Sequence, residues 1–583
     1  MSKFYKIKKY FTGHRILLLV ILCLFGLGVV QSRQVTKKKQ REKKDERVYL
    51  VHSDNLKLDP YGNNPMAQVL TGNVQFLHKG ARLFCDSAYF FQESNSFKAF
   101  GHVRMLQGDT LSLFSDYAYY DGNAQMAEAR YNVVLTHRQT KLFTDSLNYD
   151  RLYGIGYFFE GGKMVDKQNV LVADWGEYDS ESRKAVFNYN VKLKNPKFVI
   201  DTDTLNYDTK TSVADVVGPS VVTSGDNVIH TTRAFYDSNN NKARLLERST
   251  LINQGKELTG DSLVYDEKTG VSRGFRNVVY RDTVNKNQLV SNTLFYNEKT
   301  GYAFATDSAV MMDYSQKDTL FAHSDTMKVY TFNMNTDSVY RRIHCYNHVR
   351  AYRTDVQAVC DSLVYDTKDS CMTMYKDPIL WNVNRQVLGE QIKVYMNDST
   401  ISRAHVINQA FSAEMLPDSI SFNQLSSREM FAFFENGDIR KTEAVGNVLA
   451  AYYHRDEKDS TLLGMFYIET DTMRMYITDR QLESIWTNKS TGVGYPITQL
   501  PPHKAKLPSF VWFGYIRPVD KHDIFNWRGK KSGTELRSVK RSAAPLQHIG
   551  SSGVTTIKGT ADGTTVNIGS GGLPPAAAES KKD

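Results

Sequence analysis

The sequence predicts an all-β chain of repeated antiparallel strand pairs, with a period of about 29 residues, stacked into an extended array that is either an antiparallel double-sheet roll or a β-solenoid. Three observations predict it. A short motif ending in Tyr-Asp recurs along most of the 583 residues. Within each copy apolar and polar residues alternate with a period of two, as on a half-buried strand. The chain holds 34 Tyr and 30 Phe, which suit pleated sheet, and eight of its 14 Pro lie from Pro496 onward.

Asp86-Ser87-Ala88-Tyr89-Phe90 opens the series, and Asp116-Tyr117-Ala118-Tyr119-Tyr120-Asp121 follows. Further copies begin at Asp145, Asp174, Asp203, Thr232, Asp261 and Asn292, and weaker ones at Asp325, Asp361, Glu390 and Asp471. From the first residue, positions two and four share a strand face and are Ala or Leu, then Phe or Tyr. The Tyr leads into a turn such as Asp266-Glu267-Lys268-Thr269-Gly270, opened by an Asx residue and closed by glycine. A second strand follows, as in Gly72-Asn73-Val74-Gln75-Phe76 and Gly101-His102-Val103-Arg104-Met105. Parity marks Val74, Phe76, Leu83, Val103, Met105, Leu147, Tyr149, Leu205, Tyr207, Leu263 and Tyr265 as candidates to line an apolar groove or tube. Leucine-rich repeats share the period but need a Leu-x-x-Leu-x-Leu frame, and helical repeats need a period of 3.6; neither pattern occurs.

The net charge of +10 sits at the two ends. Residues 1–47 hold 13 basic and 3 acidic residues, and 501–583 hold 13 and 6, which leaves about −7 for 48–500. A body of that charge lacks the clustered cations of a nucleic-acid surface. Lysines and an arginine precede the apolar run 16–30, which reads as an export signal or an N-terminal anchor and places the body outside the cytoplasm. Cys23, Cys85, Cys345, Cys360 and Cys371 show no zinc spacing; Cys345 and Cys360 could face each other across a hairpin, or the exported cysteines are buried free thiols.

No catalytic motif is present, so the sequence predicts no enzyme, no cofactor and no metal site. The recurring Asp reads as a strand-end or turn partner for backbone N–H groups, and the recurring Tyr as core. Open edges are expected at 48–58 and near 473–477, as templates for strand pairing with other proteins.

Gly72-Asn73-Val74-Gln75-Phe76, Leu83-Phe84-Cys85-Asp86-Ser87-Ala88-Tyr89-Phe90 and the return to Gly101-His102-Val103 resemble the OstA-like family, which includes LptA-type lipopolysaccharide transport proteins. The segment Phe510-Val511-Trp512-Phe513-Gly514, with Arg517-Pro518 and Asp523-Ile524-Phe525, resembles the end of large Bacteroidetes-type members. The resemblance implies a periplasmic, non-enzymatic bridge whose β-jellyroll groove takes lipid A acyl chains on their way to the outer membrane. It implies lipopolysaccharide as ligand, other Lpt-type jellyroll proteins joined end to end, and inner- or outer-membrane transport components as partners. The expected organisation is a signal peptide or anchor (1–32), a basic linker (33–47), one OstA-like roll (48–200) and a second (201–400). A roll remnant (401–486), a Pro/aromatic extension (487–531) and a disordered tail (532–583) complete it. The competing expectation is a structural or adhesive envelope protein whose repeats are only a spacer.

Overall fold

The computed structural model describes residues 47–58, 65–397, 400–456, 461–478, 481–508, 510–532, 534, 554–558 and 567–571. The expected signal or anchor and most of the basic linker lie outside them. Among the described residues no helix is long and apolar enough to cross a membrane. The regular elements are antiparallel strands apart from three short 3-10 turns, as the alternation predicts.

The chain divides into two compact units, Met1–Asp109 with Tyr119–Gln125, and Thr110–Ala118 with Met126–Asp583. In the first, Tyr49–His52 and Asn55–Leu58 both pair with Gln68–His78, which pairs in turn with Ala81–Phe91 and that with Ser96–Gln107. Its core is aromatic: Phe76 stacks on Phe97 at 4.2 Å, and Phe97 meets Tyr120 at 5.2 Å. In the second, a ladder of antiparallel neighbours runs from Met126–His137 to Leu462–Thr478. Strand Phe198–Asp208 crosses the expected 200/201 boundary between rolls.

Most copies share one irregularity. In the middle of most second strands, two consecutive residues adopt left-handed backbone: Gly72-Asn73 (φ 78° and 47°), Tyr189-Asn190 (67° and 50°), Arg276-Asn277 (58° and 48°), Asn347-His348 (58° and 51°). The register shifts at each, as between Asn188 and Val191 or Phe275 and Val278. Left-handed backbone costs a non-glycine residue about 1–2 kcal/mol, so each site needs compensation. It comes from the first acidic residue of the motif on the adjacent strand. Asp174 accepts from Asn190 Nδ2 at 2.6 Å, Asp261 from Asn277 Nδ2 at 2.8 Å, and Asp116 from Asn132 Nδ2 at 2.6 Å. Asp86 and Asp325 meet the Nδ1 of His102 and His348 at 2.7 and 2.9 Å. At Gly72 and Gly101 a carboxylate lies against the glycine itself: a Cβ there would fall 2.2 Å from Asp54 Oδ2 or 2.3 Å from Asp86 Oδ2. The first Asp of the motif is therefore a mid-strand bulge partner rather than a strand-end residue. The turn role belongs to the Asp that closes the motif: Asp179 accepts from the backbone N–H of Glu181 and Ser182, and Asp208 from those of Lys210 and Thr211.

The C-terminal expectations change most. Strand Leu462–Thr478 is paired on both sides, with Asp438–Arg455 and with Gln481–Asn488 and Thr491–Pro496, so 473–477 is not an edge. The chain continues in strand until Pro496. Residues 501–531 then form a strap against the sheet, running back past earlier strands. Three buried glutamines hold it. Gln424 donates to Ala505 O and accepts from Leu507 N, both at 2.8 Å. Gln386 donates to Val511 O (2.8 Å) and accepts from Phe513 N (2.7 Å), and Gln357 accepts from Arg517 Nε (2.6 Å). A primary amide can copy both halves of a peptide group, so Gln386 and Gln424 extend the ladder sideways. Leu507, Phe513 and Ile516 bury against Trp381, Phe411 and Tyr453. Further on, Arg350 is fully buried and reaches Ile516 O (3.1 Å) and the Asp523 carboxylate (3.2 Å), which Arg528 also holds. The tail expected to be disordered lies mostly outside the described residues. Two strands in it are described, Val554–Lys558 and Asn567–Gly571, the first pairing with Gln481–Asn488. Val554-Thr555-Thr556-Ile557 is a β-branched run, which favours that pairing.

Two outcomes test this account. Asp174→Ala should destabilise its copy by about 1 kcal/mol through the lost Asn190 bond, seen as faster amide exchange in 191–195; unchanged exchange would leave the bulge without a reason for its carboxylate. Asp523→Ala leaves Arg350 buried beside a lost counter-charge, at a cost of about 3–5 kcal/mol. Exchange across 505–525 should then rise before the strands beneath lose protection.

Candidate ligand groove

The inner face of the strands is where the sequence placed a lining. Parity holds: in strand Phe198–Asp208, Ile200, Leu205 and Tyr207 point inward and are buried. Of the eleven candidates, Val74, Phe76, Leu83, Val103, Met105, Leu147, Tyr149, Leu205, Tyr207 and Leu263 are buried, and Tyr265 is half-buried. In the copies from Asp86 to Asp203 the inner positions are packed shut. Leu147 and Leu205 are both 0 % exposed.

Three of the recurring tyrosines, Tyr120, Tyr178 and Tyr207, contribute to the closure. Each hydroxyl reaches a residue beside a turn on the opposite half of the strands. In the first unit Tyr120 meets His78 Nδ1 at 2.7 Å. In the second, Tyr178 meets His137 Nδ1 at 2.8 Å. Tyr207 donates to Asp166 Oδ2 at 2.7 Å and accepts from Asn169 Nδ2 at 2.9 Å. Thr140 and Asn195 complete that buried network through Asp166 and Asn169. Burial pushes the phenols of Tyr178 and Tyr207 above the ordinary tyrosine range, for Tyr207 with help from its Asp166 partner. Burial likewise lowers His137, as do the nearby Arg138 and Arg183, so that imidazole is neutral at pH 7.

The crossings then give out. Phe198 meets Tyr236 edge-on at 4.3 Å, a ring contact without a hydrogen bond between them. Tyr265 turns its hydroxyl to Glu298 at 3.2 Å, 33 residues ahead rather than about 40 behind. Burial and the Glu298 charge push its phenol up to about 12. Tyr296, two copies beyond Tyr236, is 40 % exposed. From there the inner face has a buried floor and half-open walls. Ala305, Ala309, Met327, Cys345, Val349 and Cys360 form the floor. Leu289, Met311, Ile343, Ala358 and Leu363 pack on it and remain part-exposed. The floor residues flank the bulges, where strands bend most. The strap lies on the other face of the same strands: Ala358 and Cys360 belong to the groove, whereas Gln357 and Val359 face the strap. Sequence reasoning found the parity, and with it Leu363 on the apolar face, but not Leu289, Met311 and Ile343. Met311 and Ile343 stand on the Val parity of their second strands, so they were within reach of the same rule.

The groove residues named here are all uncharged. Among the described residues no group of three His, Cys, Asp or Glu is placed to hold a metal ion. Cys85, Cys345, Cys360 and Cys371 are free thiols. Cys345 stands opposite Leu363 and Cys360 opposite Val349, so the two do not face each other as a hairpin pair. Burial pushes Cys345 up to about 11 and Cys360 higher still. In the native protein, alkylation should therefore be fastest at the half-buried Cys371, and the Cys345 rate should still be climbing above pH 10. A Cys345 rate that levels off near pH 8.5 would mean the floor is wet.

Residues 45–203 match the family model of OstA-like proteins. No curated protein matches the chain. Solved structures that do match include the crystal structure of LptH, the LptA homologous periplasmic component of the conserved lipopolysaccharide transport device from Pseudomonas aeruginosa. It is 19% identical over 18% of this chain and 80% of that one, with a TM-score of 0.16.

Proposed function

We propose that this chain, OstA-like over residues 45–203, is a periplasmic lipopolysaccharide-transport protein that carries the lipid's acyl chains along the inner face of its strands without chemical change. The observation that carries the reading is the half-open wall of Leu289, Met311, Ile343 and Leu363 over a buried apolar floor. Apolar surface left part-exposed in a body otherwise able to bury it is the mark of a site awaiting an apolar occupant. An acyl chain gains about 25 cal/mol for each Å² it removes from water. Successive copies present similar walls, so the gain stays nearly level from one to the next and a chain can slide without crossing water. Within each unit the candidates from Val74 to Tyr207 occupy the inner face of their strands, and lie on the path wherever the interior opens to admit a chain. Other roll-bearing proteins would join end to end at the outer side of Tyr49–His52 and Asn55–Leu58, which among the described residues pair with Gln68–His78 alone.

The packed copies from Asp86 to Asp203 favour a second reading for that stretch, a rigid spacer that holds the open groove at a distance. A single measurement separates the two readings. Mass spectrometry of the purified chain should find acylated glucosamine lipid, and Leu289→Asp with Ile343→Asp should reduce it at least tenfold while thermal unfolding shifts less than for a change at a fully buried position, because both sites are part-exposed. These positions are better probes than Val103→Asp, since Val103 is 2 % exposed and its loss would unfold the copy. Undiminished lipid in the double variant, or none in the unaltered protein, would leave only the spacer.

A further inference from the structure

We infer that the recurring tyrosines Tyr120, Tyr178 and Tyr207 decide where along the chain an acyl chain can enter, by holding the interior shut until their hydroxyl bonds are broken. The inference rests on the groove reading above and assigns its entrance. A buried tyrosine hydroxyl always needs a partner, and packing alone would supply one anywhere nearby. Here each partner comes from the opposite half of the strands, 38–42 residues earlier in the chain. Each is itself buried: His78, His137, Asp166 and Asn169 are all below 8 % exposed. No water competes for these bonds while the interior is closed.

The series changes in one direction. It passes from hydroxyl bonds at Tyr178 and Tyr207, to the ring contact of Phe198 with Tyr236, to Tyr265 bonded ahead to Glu298, to the exposed Tyr296. The walls open over the same interval. The partners explain the change. The turns that face Tyr178 and Tyr207 supply His137, Asp166 and Asn169, which can reach a phenol. The next facing turn supplies the apolar Phe198. The entrance therefore lies beyond Tyr236, and inward travel toward 127–216 requires the bonds to break in succession, copy by copy. A neutral His or an amide exchanges partners readily, so each bond can break and reform without an unpaired charge being left in the core. Asp166 keeps Thr140 when Tyr207 leaves.

The test uses the full chain and myristic acid carrying a terminal diazirine, with adducts mapped by peptide mass spectrometry. In the unaltered protein adducts should fall within 228–366. In Tyr178→Phe with Tyr207→Phe, which keeps both rings and removes only the hydroxyls, adducts in 127–216 should rise at least fivefold. Tyr157→Phe, whose hydroxyl bonds Asn148, should leave the pattern as it was. Adducts that stay within 228–366 in the folded double variant, or that already fill 127–216 in the unaltered protein, would overturn the inference. Should the double variant fold poorly, Tyr178→Phe alone is read the same way. An absence of adducts throughout the unaltered protein would instead count against the groove reading. The hydroxyls are then judged without lipid, by maleimide access to Leu205→Cys: a fivefold faster reaction when Tyr178→Phe and Tyr207→Phe are added supports them, and an equal rate refutes them.

Discussion

The bulge and its carboxylate are what the rest of the structure depends on. A regular strand of eleven or twelve residues would present one continuous face. In most copies two left-handed residues in its middle divide it into two half-strands and reset its register, so the inner face turns a corner there. That conformation is unfavourable for Tyr189, Arg276 or Asn347. It persists because an acidic side chain on the neighbouring strand bonds the second bulge residue and the strand ladder resumes on either side. Repetition at near-constant spacing then stacks the corners. The small or slender residues beside them, such as Ala305 and Ala309, become the floor, and the residues farther out become the walls.

Given that corner, the interior can be filled or left open, and the chain does both. Filling is achieved with large side chains and a closing hydroxyl. Phe76, Phe97, Phe158 and Phe187 occupy the space where the early copies are packed, and Tyr178 and Tyr207 tie the far ends together. Farther along, Ala, Met, Cys and Val cover only the floor. Stability there must come from elsewhere, and the strap supplies it on the reverse face. It buries a second apolar layer against Trp381, Phe411 and Tyr453, matches its backbone to Gln386 and Gln424, and bonds Gln357 through the Arg517 side chain. A strand sheet with an open inner face can thus be held firmly from behind. This division of labour is consistent with a protein that must keep apolar surface available without collapsing onto it.

Much of this was legible in the sequence. Period, strand content, turn chemistry and face parity are local properties. Asp179 caps the turn formed by the three residues that follow it, and Leu205 and Tyr207 share a face because side chains alternate. None of these needs knowledge of a distant neighbour, so a single sequence determined them. The expected edge at 473–477 failed because the strands after it carry a weaker alternation than the copies before it.

What only the tertiary structure decided were pairings between residues far apart. Whether a copy is closed depends on what stands opposite its tyrosine some forty residues earlier, and the motif reads the same for Tyr207 as for Tyr265. Gln357, Gln386 and Gln424 look like ordinary polar strand residues until the strap, some 80 to 160 residues later, lies across them. Arg350 and Asp523 are 173 residues apart and become a buried pair only when both have folded. Local chemistry sets the strand and its faces, whereas the burial of a polar group is decided by the partner that reaches it, and that partner can lie anywhere in the chain.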